Sequence, residues 1–190
     1  MPADRPPPRQ ARAAAKRDRI LDAAEALLGT VPPAGLTTTQ VAAQADVPVG
    51  SVYRYFANAD AVLSALFARM NEETAAALSA GERAADGWRA DLARIGAIVR
   101  ATHDAHPAYG ALMTYLQARG EAGGRIPDLL AARLAAGAGL VPDRAALVAE
   151  TVVALFEAVE RRHHALPSDR RDDAWTEGMI AVEAYLAKVL

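Results

Sequence analysis

The chain has 190 residues and a formal net charge of −2 at pH 7, length enough for one large or two small domains with a buried core. Apolar residues make up 52% of it; alanine, the best helix former, dominates them, and two Trp, five Tyr and three Phe are too few to suggest a β-sandwich. The absence of cysteine excludes a disulfide scaffold and thiol chemistry, and fits a reducing cytoplasm.

The N-terminal MPADRPPPRQARAAAKR lacks the apolar stretch of a secretory signal. No run of about 18 apolar residues free of charges and breakers exists, so no membrane span is expected. The first 20 residues hold six basic side chains (Arg5, Arg9, Arg12, Lys16, Arg17, Arg19) against Asp4 and Asp18. That segment is therefore +4, and the remainder is about −6. Residues 1–15 read as a flexible basic arm suited to a polyanion.

From Lys16 a helical period begins, with Ile20, Ala23, Ala24, Leu27 and Leu28 on one stripe. Gly29 and TVPPAG end it. In LTTTQVAAQA, Thr37 followed three residues later by Gln40 is a capping-box signature. Pro48 breaks that helix and suits the first turn of the next one, VGSVYRYF. There Val52 and Phe56 share an apolar side, while Gly50, Ser51, Arg54 and Tyr55 lie opposite. Asn58 is a good N-cap for a further helix, whose first turn holds Asp60. Further helices are expected near 88–104, 108–119, 126–137, 143–164 and 171–189, punctuated by proline and glycine.

Two short helices near 37–44 and 49–55, joined by a tight turn, describe a helix-turn-helix. The second helix of such a unit enters the major groove. Gly50 and Ser51 let the backbone approach closely. Thr38 and Thr39 offer hydroxyls and backbone N–H groups to a phosphate. Arg54 suits a phosphate or a guanine, and Tyr53 and Tyr55 suit phosphates through their hydroxyls. Val49 joins this DNA-facing set, with packing as its alternative role.

The segment GLTTTQVAAQADVPVGSVYRYFANADAVLSAL resembles the DNA-binding domain of the TetR family of transcriptional repressors, from about Ile20 to Phe67 and including the Y-x-Y-F and F-x-N elements. The resemblance implies an all-α homodimer with an N-terminal helix-turn-helix domain (residues 16–62) and a C-terminal helical domain for effector binding and dimerisation (residues 63–190). It implies a cytoplasmic one-component regulator, a repressor released from a palindromic operator by a small molecule. Two positions depart from the family pattern. Ala59 stands where members commonly carry a phosphate-binding lysine, and Asp46 stands where glycine is usual in the turn. Asp tolerates the left-handed conformation better than most residues, but a carboxylate near DNA is unfavourable.

In the C-terminal part, Trp88, Ile95, Val99, Tyr109, Met113, Leu116 and Phe156 are candidates to line an apolar effector pocket. Leu155 and Val159, with Trp175, Met179, Val182 and Leu186, form apolar faces suited to a four-helix dimer interface. His103 and His106, and His163 and His164, lack the partners of a metal site, so no metal or other cofactor is expected. No G-x-S-x-G, H-E-x-x-H or phosphate-cradling glycine loop occurs, so no enzyme is expected. The alternative reading is a helical protein-interaction module without specific DNA binding.

Overall fold

A computed structural model describes residues 9–81, 87–121 and 125–190. Among these residues there are nine α-helices and no strand. The helices are α1 (Arg9–Leu28), α2 (Thr38–Gln44), α3 (Val49–Tyr53), α4 (Ala59–Ala80), α5 (Trp88–Asp104), α6 (Tyr109–Gln117), α7 (Ile126–Ala138), α8 (Pro142–Ala165) and α9 (Arg171–Val189). No helix among the described residues is long and apolar enough to cross a membrane.

The largest departure from expectation is at the start. Residues 9–15, expected within a flexible arm, are helical, because RQARAAAK is rich in the strongest helix formers. Residues 1–8, the rest of that arm, lie outside the described residues. Arg9, Arg12, Lys16, Arg17 and Arg19 are thus carried by one helix.

The chain forms two units. The first runs to Phe67 and takes in residues 111–121; the second comprises residues 68–110 and 122–190. In the first unit, α1 buries Ile20, Leu21 and Ala24, α2 buries Val41 and Ala42, and α3 buries Val52, with Phe56 just beyond it. Val62, Leu63 and Leu66 of α4 and Leu112, Met113 and Leu116 of α6 are fully buried. Asn58 caps α4, its Oδ1 accepting from the Ala61 backbone N–H at 2.8 Å. Asp60 accepts from the Tyr115 hydroxyl and from Arg119, both at 2.8 Å.

The second unit packs α7 against α8 and α8 against α9. Its core includes Leu92, Ile95, Val99, Val148, Val152, Phe156, Trp175, Val182 and Leu186. Within it lies a buried polar cluster. Glu160 is only 3% exposed and meets Nδ1 of His103, itself buried. His103 stacks on Tyr109 with centroids 3.7 Å apart, and the Tyr109 hydroxyl donates to Asn71 at 3.0 Å. Burial pushes the Tyr109 phenol far up, so it stays neutral and remains a donor. Burial also raises the Glu160 carboxyl, and His103 only partly counters this.

A carboxyl raised on folding contributes stability below its ordinary range, and that contribution is lost as pH rises through the folded value. Glu160→Gln removes the ionisation and keeps a side-chain acceptor. The melting temperature of the variant should therefore gain on that of the wild type as pH rises from 5 to 8. A thermal-unfolding series over that range checks it; a pH-independent difference overturns it.

Candidate nucleic-acid interface

The α2–turn–α3 segment is built by local chemistry. The Thr37 hydroxyl accepts from the Gln40 backbone N–H at 3.2 Å, and Gln40 Oε1 accepts from the Thr37 N–H at 2.9 Å. Two otherwise unpaired donors are satisfied at once, as a capping box does. At the other end of α2, Asp46 adopts φ 51°, the one positive φ among described non-glycine residues. Its N–H donates to the Ala43 carbonyl at 3.2 Å, and the Val47 N–H donates to the Ala42 carbonyl at 3.0 Å. This pair of bonds is the Schellman motif, usually made by glycine.

Arg19 of α1 completes the turn. Its Nη2 donates to the Ala45 carbonyl at 2.6 Å and to the Asp46 carbonyl at 3.0 Å. Sequence reasoning placed Arg19 with the basic arm and missed this role. Nothing local signals a bond that spans 26 residues.

After the turn, Pro48 opens α3, and its carbonyl accepts from the Ser51 N–H at 2.7 Å. Val52 is fully buried and Phe56 nearly so, so α3 is seated by its apolar side. The guanidinium of Arg17 lies 5.5 Å from the centroid of the Phe56 ring. The opposite side of α3 is open. Val49 is 41% exposed and Tyr53 56%; Arg54 is exposed, and Ser51 and Tyr55 are half-buried. A side chain added at Gly50 would meet nothing within 4 Å, so no described residue crowds that position.

The expected pair of threonines divides. Thr39 is exposed at the start of α2. Thr38 is buried, and its hydroxyl donates to the Tyr53 hydroxyl at 3.0 Å. Its side chain is therefore committed to fixing Tyr53, and only its backbone N–H, in the first turn of α2, is placed for an anion.

Residues 20–66 match the sequence model of bacterial regulatory proteins of the tetR family. These residues are a TetR-family DNA-binding domain. A TetR-family transcriptional regulator from Streptomyces coelicolor superposes with TM-score 0.76 at 28% identity, over 92% of this chain and 99% of that one. A TetR from Acinetobacter baumannii AYE shares the fold at TM-score 0.67 and 19% identity, over 90% and 95% of the two chains. A second S. coelicolor TetR does so at TM-score 0.69 and 20% identity, over 91% and 96%. No curated protein sequence matches the chain. The surface just described is the exposed side of that DNA-binding domain's helix-turn-helix.

The second unit holds a shallow apolar pocket with a cavity volume of about 50 Å³. Of the residues expected to bind an effector, Trp88, Ile95 and Phe156 line it, together with Leu92, Leu130, Val152, Asp91 and Arg133. The other four do not. Val99 is packed in the core, Tyr109 is buried and bonded to Asn71, and Met113 and Leu116 are fully buried members of the first unit.

The expected dimer residues also need correction. Trp175, Val182, Leu186 and Val159 are buried within the single chain, so their side chains are already spent on its core. Leu155 and Met179 are half-buried. The outward sides of α8 and α9 instead present Leu147, 53% exposed, and Ile180, 55% exposed. Beside them lie the exposed Ala154, Ala158, Ala181 and Ala184.

Proposed function

We propose that the chain is a cytoplasmic one-component repressor that binds a palindromic operator as a homodimer and leaves it when a small molecule occupies the second unit. The observation that carries this reading is the open face of α3, held by a capping box, a Schellman turn and Arg19, with Arg54 and Tyr53 outward. Each protomer offers one recognition helix to a half-site, and half-sites about 34–36 Å apart lie on one side of the duplex. The small outward residues of α8 and α9, with Leu147, Leu155 and Ile180, suit a four-helix contact between two copies. Effector release requires the ligand to favour an arrangement that does not bind DNA.

The test is binding of the full chain to its own upstream DNA, titrated with salt and with nonspecific competitor. Competitor-resistant protection of a palindrome is expected. Binding that competitor abolishes on every fragment, including fragments from a random-sequence selection, favours the helical interaction module instead. Arg54→Ala should weaken operator binding by roughly 1–3 kcal/mol. Unchanged affinity removes Arg54 from the contact surface.

A further inference from the structure

The pocket in the second unit is apolar except at one place. Arg133 and Asp91 line it together. Asp91 accepts from Arg133 at 3.3 Å and from Arg94 at 2.9 Å. Among the described residues the two arginines thus share one carboxylate, and these three part-buried side chains carry a net charge of +1. A second pair of charged side chains lies near the pocket and is balanced in itself. Arg89 stacks 4.3 Å over the Trp88 ring and bonds to Glu183 at 2.9 Å.

Arg133 is fixed in place. Its Nη1 donates to the Leu78 carbonyl at 2.6 Å, and its Nη2 reaches the Gly81 carbonyl at 3.3 Å. Its Nε is buried and has no hydrogen-bond partner among the described residues. A buried guanidinium N–H without an acceptor is costly, because it has lost water and gained nothing. Beside an apolar pocket, the group that best satisfies it is an acceptor carried in by a ligand, and a negative one also matches the excess charge.

We propose that this pocket takes an amphiphilic monocarboxylate, with its apolar body against Trp88, Phe156 and Leu130 and its carboxylate at Arg133. The proposal rests on the pocket being the effector site and adds the chemical class of the effector. Amines of the same shape are disfavoured because they would bring a second cation to a site that already has one in excess. Neutral amides or esters leave the excess charge unmatched.

The test compares ligands of one shape. The full chain is titrated by calorimetry with 4-phenylbutyrate, 4-phenylbutyramide and 4-phenylbutylamine, and with the corresponding straight-chain C8 to C12 series. The acid is expected to bind about tenfold or more tightly than its amide, with the amine weakest. Arg133→Gln should abolish the preference while the amide still binds. Because Arg133 also holds the α4 end, Leu134→Trp serves as a second variant that fills the pocket, and it should reduce all three ligands together. Acid and amide binding equally, both sensitive to Leu134→Trp, overturns the carboxylate assignment and leaves the effector site standing. No binding by any member, or binding indifferent to Leu134→Trp, overturns both.

Discussion

Arg19→Met should lower the stability of the first unit by about 3 kcal/mol and cost operator affinity out of proportion to the loss of one positive charge. Arg19 is a charged donor to two backbone carbonyls, those of Ala45 and Asp46, and charge-assisted bonds of this kind are worth more than neutral ones. Those carbonyls belong to the turn that sets the angle between α2 and α3. The turn needs the support because Asp46 occupies a left-handed conformation that glycine adopts without strain. Methionine keeps the apolar stem and removes the donors. Thermal unfolding and operator titration report the two effects separately.

Asp46→Gly should restore part of both losses in the Arg19→Met background, since it relieves the backbone and removes a carboxylate from the DNA side. An Arg19→Met protein with unchanged melting temperature and affinity would overturn the role. The same pairing bears on the two departures from the family pattern. Arg19 brings a cation to the very turn where Asp46 brings a carboxylate. At Ala59 no such replacement is needed for the helix itself, because Asn58 still caps α4.

Local signals made the helix-turn-helix legible in the sequence. Thr37 and Gln40 are three residues apart and cap each other; Pro48 forbids the continuation of α2 and opens α3; Val52 and Phe56 recur at helical spacing. The later helices were legible for a similar reason: Pro107, Pro142 and Pro167 mark their ends, and α5 and α9 start and stop where expected. What the sequence did not carry was tertiary. Arg19 reads as one more basic residue until α1 is laid beside the turn. Trp175, Met179, Val182 and Leu186 form one stripe, and a stripe announces burial without saying against what; here most of it is spent within the chain. Met113 and Leu116 follow the second unit's helix α5 in sequence but are buried in the first. The start of α1 was missed for a different reason. The proline-rich composition of residues 1–8 hides the onset of an Ala- and Arg-rich segment with strong helix propensity.

Gly178→Val should destabilise the second unit by about 3 kcal/mol, and it should weaken self-association as well. A glycine in the middle of a helix costs roughly 1 kcal/mol relative to alanine, so its presence in α9 calls for a local reason. That reason is the approach of α8. A Cβ built on Gly178 would lie 3.0 Å from Val159 Cβ and nearer still to both its methyl groups. Rotating Val159 does not help, because Cβ itself is in the way and a β-branched side chain has little choice of rotamer in a helix. The helices must then separate, and with them the outward residues Leu155, Ala158 and Ala181, which flank Gly178 in the groove between α8 and α9. Gly96 offers a contrast. Its added Cβ would meet the flexible end of Met179, so Gly96→Ala should be tolerated far better. Thermal unfolding and sedimentation of the two variants separate these cases. Adding Val159→Ala to Gly178→Val should recover part of the loss, as expected of residues in direct contact. Equal behaviour of the two glycine variants, or strict additivity with Val159→Ala, would show that close packing at Gly178 is not what holds α8 and α9 together.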